Sequence, residues 1–171
     1  MTAFRLEATG HTPEERFRAL FVRHYAAVYR YTGRRVGAEE AADTTAEAFT
    51  VAWRKIAHVP PEPDTLPWLY GVARRVVGNA RRSRRRRERL AARAASGDPA
   101  TTPAADAAGV LAVVEALRPD DRELLRLAAW EGLGPREMGA VLGCSPNAAA
   151  IRLHRARRRL EEAMRDTGGE Q

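Results

Sequence analysis

The segment spanning residues 131–160 carries the most restrictive local pattern in this chain. Pro135 suits the first position of a helix, and Gly143 can end that helix because glycine adopts a left-handed conformation at little cost. Ser145 then provides a helix N-cap, and Pro146 provides a second first-position proline. The segment therefore predicts a short helix, a tight turn and a longer second helix that runs to about the end of the segment.

The second of these helices has one narrow apolar stripe and an otherwise basic surface. The stripe recurs at intervals of four, three and four residues: Ala149, Leu153, Ala156 and Leu160. The basic residues are Arg152, Arg155, Arg157, Arg158 and Arg159. No acid lies between Glu137 and Glu161, whereas a helix exposed only for solubility usually mixes both signs. The pattern favours a DNA-binding helix-turn-helix, with its second helix in a major groove, over a solvated helical hairpin.

Helix-forming residues dominate the rest of the chain, because β-branched residues are scattered while alanine, leucine, arginine and glutamate are frequent. We therefore expect an all-α fold. Thr12 and Pro13 predict a capped first helix that loosens or ends between Gly33 and Gly37, and a second helix spans residues 38–56. A third helix begins near Pro67 and continues into a run of arginines. The apolar faces expected to enclose a small core include Ala42, Ala46, Phe49 and Trp53, then Trp68, Leu69, Val72, Val76 and Val77.

Residues 94–108 separate two helical parts of the chain. This stretch consists of small residues with two prolines and has no large apolar side chain, so it cannot bury a core and is typical of a flexible linker. The sequence thus predicts two small helical domains, residues 12–93 and residues 109–165. In the second domain, Gly109 precedes one helix and Pro119 starts the next.

The charge of the chain is strongly uneven. Of 29 basic and 22 acidic residues, residues 1–93 hold 19 basic and 10 acidic, and residues 94–171 hold 10 and 12. The excess predicts a polyanionic partner, and its position predicts a nucleic-acid surface outside the helix-turn-helix. Seven of the nine residues from Arg81 to Arg89 are arginine. So dense a run repels itself unless phosphates lie beside it, although a solvated tail is the alternative.

Other classes of protein are poorly supported. The first thirty residues contain no signal-peptide run, and no window approaches the roughly 20 apolar residues of a membrane span, so we expect a cytoplasmic protein without membrane contact. Cys144 is the single cysteine, which excludes an intramolecular disulfide. The four histidines are dispersed, and neither a metal-ligand spacing, a phosphate loop nor a nucleophile elbow occurs. We expect no enzyme activity, no metal and no cofactor.

Four motifs follow one another in order along the chain. They are DTTAEAF at residues 43–49 with Ala52-Trp53, WLYGVARR at residues 68–75, LRPDDRELLRL at residues 117–127 with EGL at 131–133, and LGCS at 142–145 with RLHRAR at 152–157. In this order, with a linker in the middle, the chain resembles the extracytoplasmic-function (ECF) group of sigma-70 RNA polymerase sigma factors, which retain only regions 2 and 4. It departs from the family pattern at Ala46, where glutamine is usual, and at Arg75, where asparagine is usual. Ala148, Ala150 and Ile151 replace residues that are often lysine, arginine or threonine.

The resemblance implies a protein that binds the RNA polymerase core and gives it promoter specificity. The acidic helix would dock on the β′ clamp helices through Glu39, Glu40, Asp43 and Glu47. The loop at residues 57–66 and the helix after it would read the minus-ten element as single-stranded DNA, with Pro60 and Pro61 among the loop residues considered. The minus-ten candidates are His58, Asp64, Tyr70, Arg74, Arg75, Arg81 and Arg82. An exposed Trp68 or Tyr70 would stack on bases. The alternative for both is a place in the core, which the helical spacing favours for Trp68 and Leu69.

The resemblance assigns the minus-thirty-five element to the helix-turn-helix. The candidates for base or phosphate contact are Ser145, Asn147, Ile151, Arg152, Arg155 and Arg158. Promoter DNA and the polymerase core are the implied partners, and an anti-sigma factor is a further candidate. Two alternatives remain open from the residues: an autonomous helix-turn-helix regulator that acts as a dimer, and a sigma-like adaptor that binds polymerase without reading promoters. Ala148 and Ala150 in the recognition helix keep the second alternative open.

Overall fold

The computed structural model describes residues 12–94 and 110–168, and within these ranges it contains helices and no strand. The elements are α1 (Pro13–Val36), α2 (Ala38–Arg54), a short 3-10 helix (Ile56–His58), α3 (Thr65–Ala94), α4 (Val110–Ala116), α5 (Pro119–Ala129), α6 (Pro135–Leu142) and α7 (Pro146–Gly168). The predicted all-α class is confirmed. Apart from its first residue, the predicted linker at 94–108 lies outside the described residues.

The chain divides into two compact units, of which the first ends at Val77 and the second begins at Gly78. This division falls inside α3, whose last buried side chains are Val76 and Val77. From residue 81 to residue 91 every position is exposed. The second half of α3 therefore leaves the core that its first half helps to form.

In the first unit α1 packs along α2, and small residues on α2 make the contact close. The buried positions of α2 are Ala41, Thr44, Thr45, Ala48, Phe49 and Ala52. The hydroxyls of Thr32 and Thr45 lie 2.7 Å apart, and Thr45 Oγ1 donates to the Ala41 carbonyl oxygen at 2.7 Å, so these buried polar groups are paired.

The prediction of which face of α2 enters the core is largely wrong. Of Ala42, Ala46, Phe49 and Trp53, only Phe49 is buried, while the other three are exposed. The physical reason is that α2 has two apolar faces. The buried face combines Phe49 with Ala41, Ala48 and Ala52, whose small side chains let α1 approach closely, and the face of Ala42, Ala46 and Trp53 is left at the surface.

The start of α1 follows the predicted cap. Thr12 Oγ1 accepts from the Glu15 backbone N–H at 3.2 Å, and Glu15 Oε2 accepts from the Thr12 N–H at 2.8 Å, which completes a capping box. At the other end, Gly37 has a φ of 89° and separates α1 from α2.

In the second unit α7 packs against α4, α5 and α6. Gly143 ends α6 with a φ of 69°, the Cys144 N–H donates to the Gly139 carbonyl at 3.0 Å, and Ser145 Oγ accepts from the Ala148 N–H at 3.2 Å. The helix–turn–helix predicted between Pro135 and Pro146 is confirmed. α7 continues past the predicted end near residue 160 to Gly168.

The predicted apolar stripe of α7 holds the second unit together. Ala149, Leu153 and Ala156 are buried, and Leu160 is half-buried. They meet a core supplied by α5, α6 and the turn before α6, namely Leu124, Leu127, Leu133, Met138 and Val141. Burial of this stripe fixes which face of α7 remains open to solvent.

Candidate polymerase and nucleic-acid interfaces

The acidic residues predicted on α2 form an exposed row. Glu39, Asp43 and Glu47 recur every four residues and are exposed, whereas Glu40 is half-buried. Ala46 lies one turn from Asp43 on the same exposed side of the helix. The row is thus an accessible line of carboxylates beside an apolar surface.

That apolar surface is a groove of about 640 Å³ between α1 and α2. Its lining residues are Glu14, Phe17, Arg18, Phe21, Ala46, Phe49, Thr50 and Trp53. The Phe17 ring lies 5.3 Å from Trp53 and the Phe21 ring 4.9 Å from Phe49, both edge to face. Phe21 and Trp53 nonetheless remain 38% and 39% exposed, so the ring cluster is open to a partner.

This groove was not predicted from the sequence, although the sequence contains a signal for it. Phe17, Phe21, Tyr25 and Tyr29 recur every four residues along α1, and Tyr25 and Tyr29 stack with ring centroids 5.9 Å apart. An aromatic stripe on a helix more often packs in a core than lines a groove. Phe21 and Tyr29 are instead 38% exposed each, so half of the stripe stays at the surface.

The loop between the 3-10 helix and α3 is held by several short contacts. Thr65 Oγ1 donates to the Pro60 carbonyl at 2.8 Å, and the Asp64 N–H donates to the Pro61 carbonyl at 3.0 Å. His24 on α1 contacts Glu62 in the loop, with Nε2 and Oε1 2.7 Å apart. Of the predicted loop candidates, His58 is exposed and Asp64 is half-buried.

The residues predicted on the first half of α3 divide between core and surface. Tyr70 is 5% exposed and its ring stacks on Tyr31 at 4.9 Å. The exposure expected for Tyr70 is therefore wrong, because its ring fills the core between α3 and α1 and is not available to stack on a base. Trp68 and Arg74 are half-buried, and Arg75 is exposed.

The arginine run on the second half of α3 is exposed throughout. Arg82 donates to the Asn79 side-chain oxygen, and Arg84 Nε lies 2.9 Å from Glu88 Oε1, one turn along the helix. A single acid thus lies within a long basic face, and the candidates Arg81 and Arg82 are at its beginning. A polyanion is the partner that this charge density suits.

On α7 the predicted minus-thirty-five residues lie on the solvent side. Ser145, Asn147, Arg152, Arg155 and Arg158 are exposed, and Ile151 is 44% exposed. Arg158 Nε lies 3.3 Å from Glu162 Oε1. The neighbouring Arg159 differs, because its Nη1 donates to Asp121 Oδ2 of α5 at 2.6 Å.

The described ranges 12–94 and 110–168 contain neither a metal-ligand cluster nor a membrane-spanning helix. Neither range contains a group of three or more histidine, cysteine or acidic side chains arranged to hold a metal ion. No helix in the described ranges has both the length and the apolarity needed to cross a membrane.

Two family models match the two halves of the chain in order. The model described as Sigma-70 region 2 matches residues 20–87, and the model described as Sigma-70, region 4 matches residues 108–160. The first match includes the acidic row, the groove, the loop and most of α3. The second includes the helix–turn–helix.

Curated proteins match over nearly the whole chain. The chain is 30% identical over 157 residues to the RNA polymerase sigma factor CarQ of Myxococcus xanthus, covering 88% of this chain and 90% of that protein. It is 29% identical over 162 residues to the ECF RNA polymerase sigma factor SigL of Mycobacterium tuberculosis, with the same coverage.

Solved structures share the fold. The sigma factor RpoE, in a co-crystal with the anti-sigma factor NepR from Bartonella quintana, matches with a TM-score of 0.63 at 21% identity, covering 87% of this chain and 96% of that one. CnrH, in complex with the cytosolic domain of CnrY, matches with a TM-score of 0.61 at 24% identity, covering 85% of each chain.

Proposed function

The chain belongs to the ECF group of the sigma-70 family of RNA polymerase sigma factors, and on that premise we propose how its surfaces divide the work of promoter recognition. A sigma factor of this family directs the polymerase core to specific promoters for transcription initiation. It is a transcription regulator, and we propose that all catalysis belongs to the polymerase and that the protein acts in the cytoplasm.

We assign polymerase docking to the acidic row together with the aromatic groove. Glu39, Asp43 and Glu47 provide charge that steers a basic partner, with Glu40 at the margin. The half-exposed rings of Phe21 and Trp53 provide the apolar anchor that charges at an interface rim do not supply. A partner helix that combines basic and apolar side chains fits both features at once.

Minus-ten recognition falls to the loop before α3 and to the basic positions that follow. His58 and Asp64 flank the loop, where a base flipped out of the DNA strand would be held. Arg74 and Arg75 lie one to two turns further along than Trp68, and Arg81 and Arg82 begin the arginine run. We propose that the run binds phosphates and so contributes affinity with little sequence preference.

Minus-thirty-five recognition falls to α7. The observation that carries the proposal is that burial of Ala149, Leu153 and Ala156 turns the remaining face of α7 outward. That face carries the exposed set Ser145, Asn147, Ile151, Arg152, Arg155 and Arg158, beginning at the helix N-terminus, which is where recognition helices contact base edges.

We propose that residues 12–93 and residues 109–165 act as separate domains, which bind two promoter elements, and that residues 94–108 link them. One of the two solved structures whose fold this chain shares is the sigma factor RpoE bound to the anti-sigma factor NepR. We therefore propose an anti-sigma factor as a third partner, after the polymerase core and promoter DNA.

Run-off transcription from a promoter library tests the proposal. Purified polymerase core is assayed with and without the protein at one fixed salt concentration. Transcripts that appear only with the protein and share two upstream elements are the expected result. A matched control carries Arg152→Ala and Arg155→Ala, which should abolish the upstream element's influence while core binding is retained.

Other results would favour the rival functions. DNA binding by the free protein as a dimer, without any effect on the polymerase, would support an autonomous regulator. Core binding without promoter-dependent transcripts would support an adaptor.

A further inference from the structure

His24 on α1 is a buried polar side chain that reaches across to the loop before α3. Its side chain is 8% exposed, and Nε2 lies 2.7 Å from Oε1 of Glu62, which is 38 residues further along the chain. An ionised carboxylate accepts hydrogen bonds and cannot donate them, so Nε2 of His24 carries the hydrogen. Arg23 Nε lies 3.4 Å from the same oxygen, but its side chain is 69% exposed. The short, shielded contact is the one from His24.

This contact differs in kind from the other anchors of the loop. The bonds from Thr65 to Pro60 and from Asp64 to Pro61 join the loop to itself and to the start of α3. The bond to Glu62 instead joins the loop to α1. The contact from His24 therefore helps to fix the position of the loop relative to α1.

α1 is also the helix that carries Phe17 and Phe21 of the polymerase groove, and His24 follows Phe21 by less than one turn. A helix turn rises about 5.4 Å, so the docking surface and the loop anchor lie close together on one rigid element. Through His24, a loop that reads DNA would have a fixed position relative to the surface that holds the polymerase.

We propose that His24 is a positioning residue for promoter recognition: by holding Glu62 it fixes the loop at residues 59–64 in the geometry that captures the minus-ten strand. The proposal rests on the proposed function of that loop. A loop that is already ordered loses less conformational freedom when it closes on DNA. The contact should therefore speed capture of the DNA strand and leave binding to the polymerase unchanged.

The test is open-complex formation by the full-length protein with polymerase core on a promoter selected by the run-off assay. His24→Ala should slow open-complex formation about tenfold, the loss expected for a hydrogen bond to a charged group. His24→Gln keeps a donor near Nε2 and should restore most of the rate. Arg23→Ala, on the exposed neighbour, should leave it within about twofold. Core affinity should be unchanged in all three.

Glu62→Ala removes the same hydrogen bond from the loop side. Glu62 does not belong to the buried core. Its side chain is 39% exposed, so this variant should fold even if His24→Ala does not. Glu62→Ala should slow open-complex formation as His24→Ala does, and the double variant should be no slower than either single one. Discrimination among minus-ten bases should fall in these variants, while discrimination at minus-thirty-five is retained.

Amide hydrogen exchange of the free protein provides a readout that needs no polymerase. Residues 59–66 should exchange faster in Glu62→Ala than in wild type, with α2 and α7 unchanged. If wild type directs transcription but the His24 and Glu62 variants match it, or if their effects add, the positioning role is overturned while the proposed function stands. If wild type itself gives no promoter-dependent transcripts, the proposed function fails and the positioning role fails with it.

Discussion

Arg159 Nη1 donates to Asp121 Oδ2 at 2.6 Å, and this bond fastens α7 to the first turn of α5. Asp121 is 7% exposed. The adjacent Arg158 instead pairs with Glu162 inside α7, at the solvent side. Two neighbouring arginines in one basic run thus have different surroundings, and only one of them lies on the face proposed to meet DNA.

Arg159→Ala should destabilise the second unit, and Arg158→Ala should not. Removing Arg159 leaves the buried Asp121 carboxylate without this partner, at a cost of about 1–2 kcal/mol once the 41% exposure of the arginine is discounted. The exposed pair of Arg158 contributes less than about 0.5 kcal/mol, but its loss should weaken minus-thirty-five binding. Urea unfolding and DNA titration of both variants separate the two effects. Equal stability losses would contradict the assignment.

Gly139→Ala should destabilise the helix–turn–helix, although alanine is the better helix former. A Cβ at residue 139 would lie 2.7 Å from the Cys144 carbonyl oxygen and 3.4 Å from the Pro146 nitrogen, and both are backbone atoms that set the turn. We expect a loss of about 1–3 kcal/mol. Gly78→Ala is the matched control, because its Cβ would meet only Arg82 Nη1 at 3.6 Å and should stabilise α3 by about 0.5–1 kcal/mol. Thermal unfolding of both variants tests the contrast, and a stabilised Gly139→Ala would refute it.

The parts of the fold that were predicted correctly are encoded over a few residues. The capping box between Thr12 and Glu15 and the left-handed Gly143 involve neighbours within one helical turn, so the sequence displays them directly. The exposed basic face of α7 was predictable for a similar reason, because the stripe that excludes it from the core repeats within the same helix.

The errors arose where two segments distant in sequence decide the outcome. Which face of α2 is buried depends on how closely α1 can approach. The face with small residues such as Ala48 is buried, and Trp53 remains 39% exposed. Tyr70 is buried because Tyr31 on another helix offers its ring a stacking partner. The contact between His24 and Glu62 has no periodic signal at all, since it joins a helix to a loop through two isolated side chains.

Trp53→Ala should weaken binding to the polymerase core without unfolding the first unit. The ring is 39% exposed beside Phe17 in the groove, so it is better placed to anchor a partner than to stabilise the core. Truncating such an interface anchor typically raises Kd about tenfold or more. Val22→Ala removes another exposed apolar side chain from α1, outside the groove, and should leave Kd unchanged. Fluorescence anisotropy with labelled protein measures both. A Kd for Trp53→Ala within twofold of wild type would remove the groove from the docking surface.

The arginine run should set the salt dependence of DNA binding and leave its sequence preference alone. Replacing Arg85 and Arg86 with alanine removes two exposed charges, and each lost duplex-phosphate contact lowers the slope of log K against log salt by about 0.9, or about 0.7 for a single strand. The magnitude of this slope should therefore fall by about 1.4–1.8 in the double variant. The control replaces Arg16 and Arg30, two exposed arginines of α1, and changes the net charge equally. Titrations of promoter and scrambled DNA at several salt concentrations provide the slopes. An equal decrease in the control would mean that overall charge, not this run, binds the phosphates, and a changed base preference would mean that the run reads sequence.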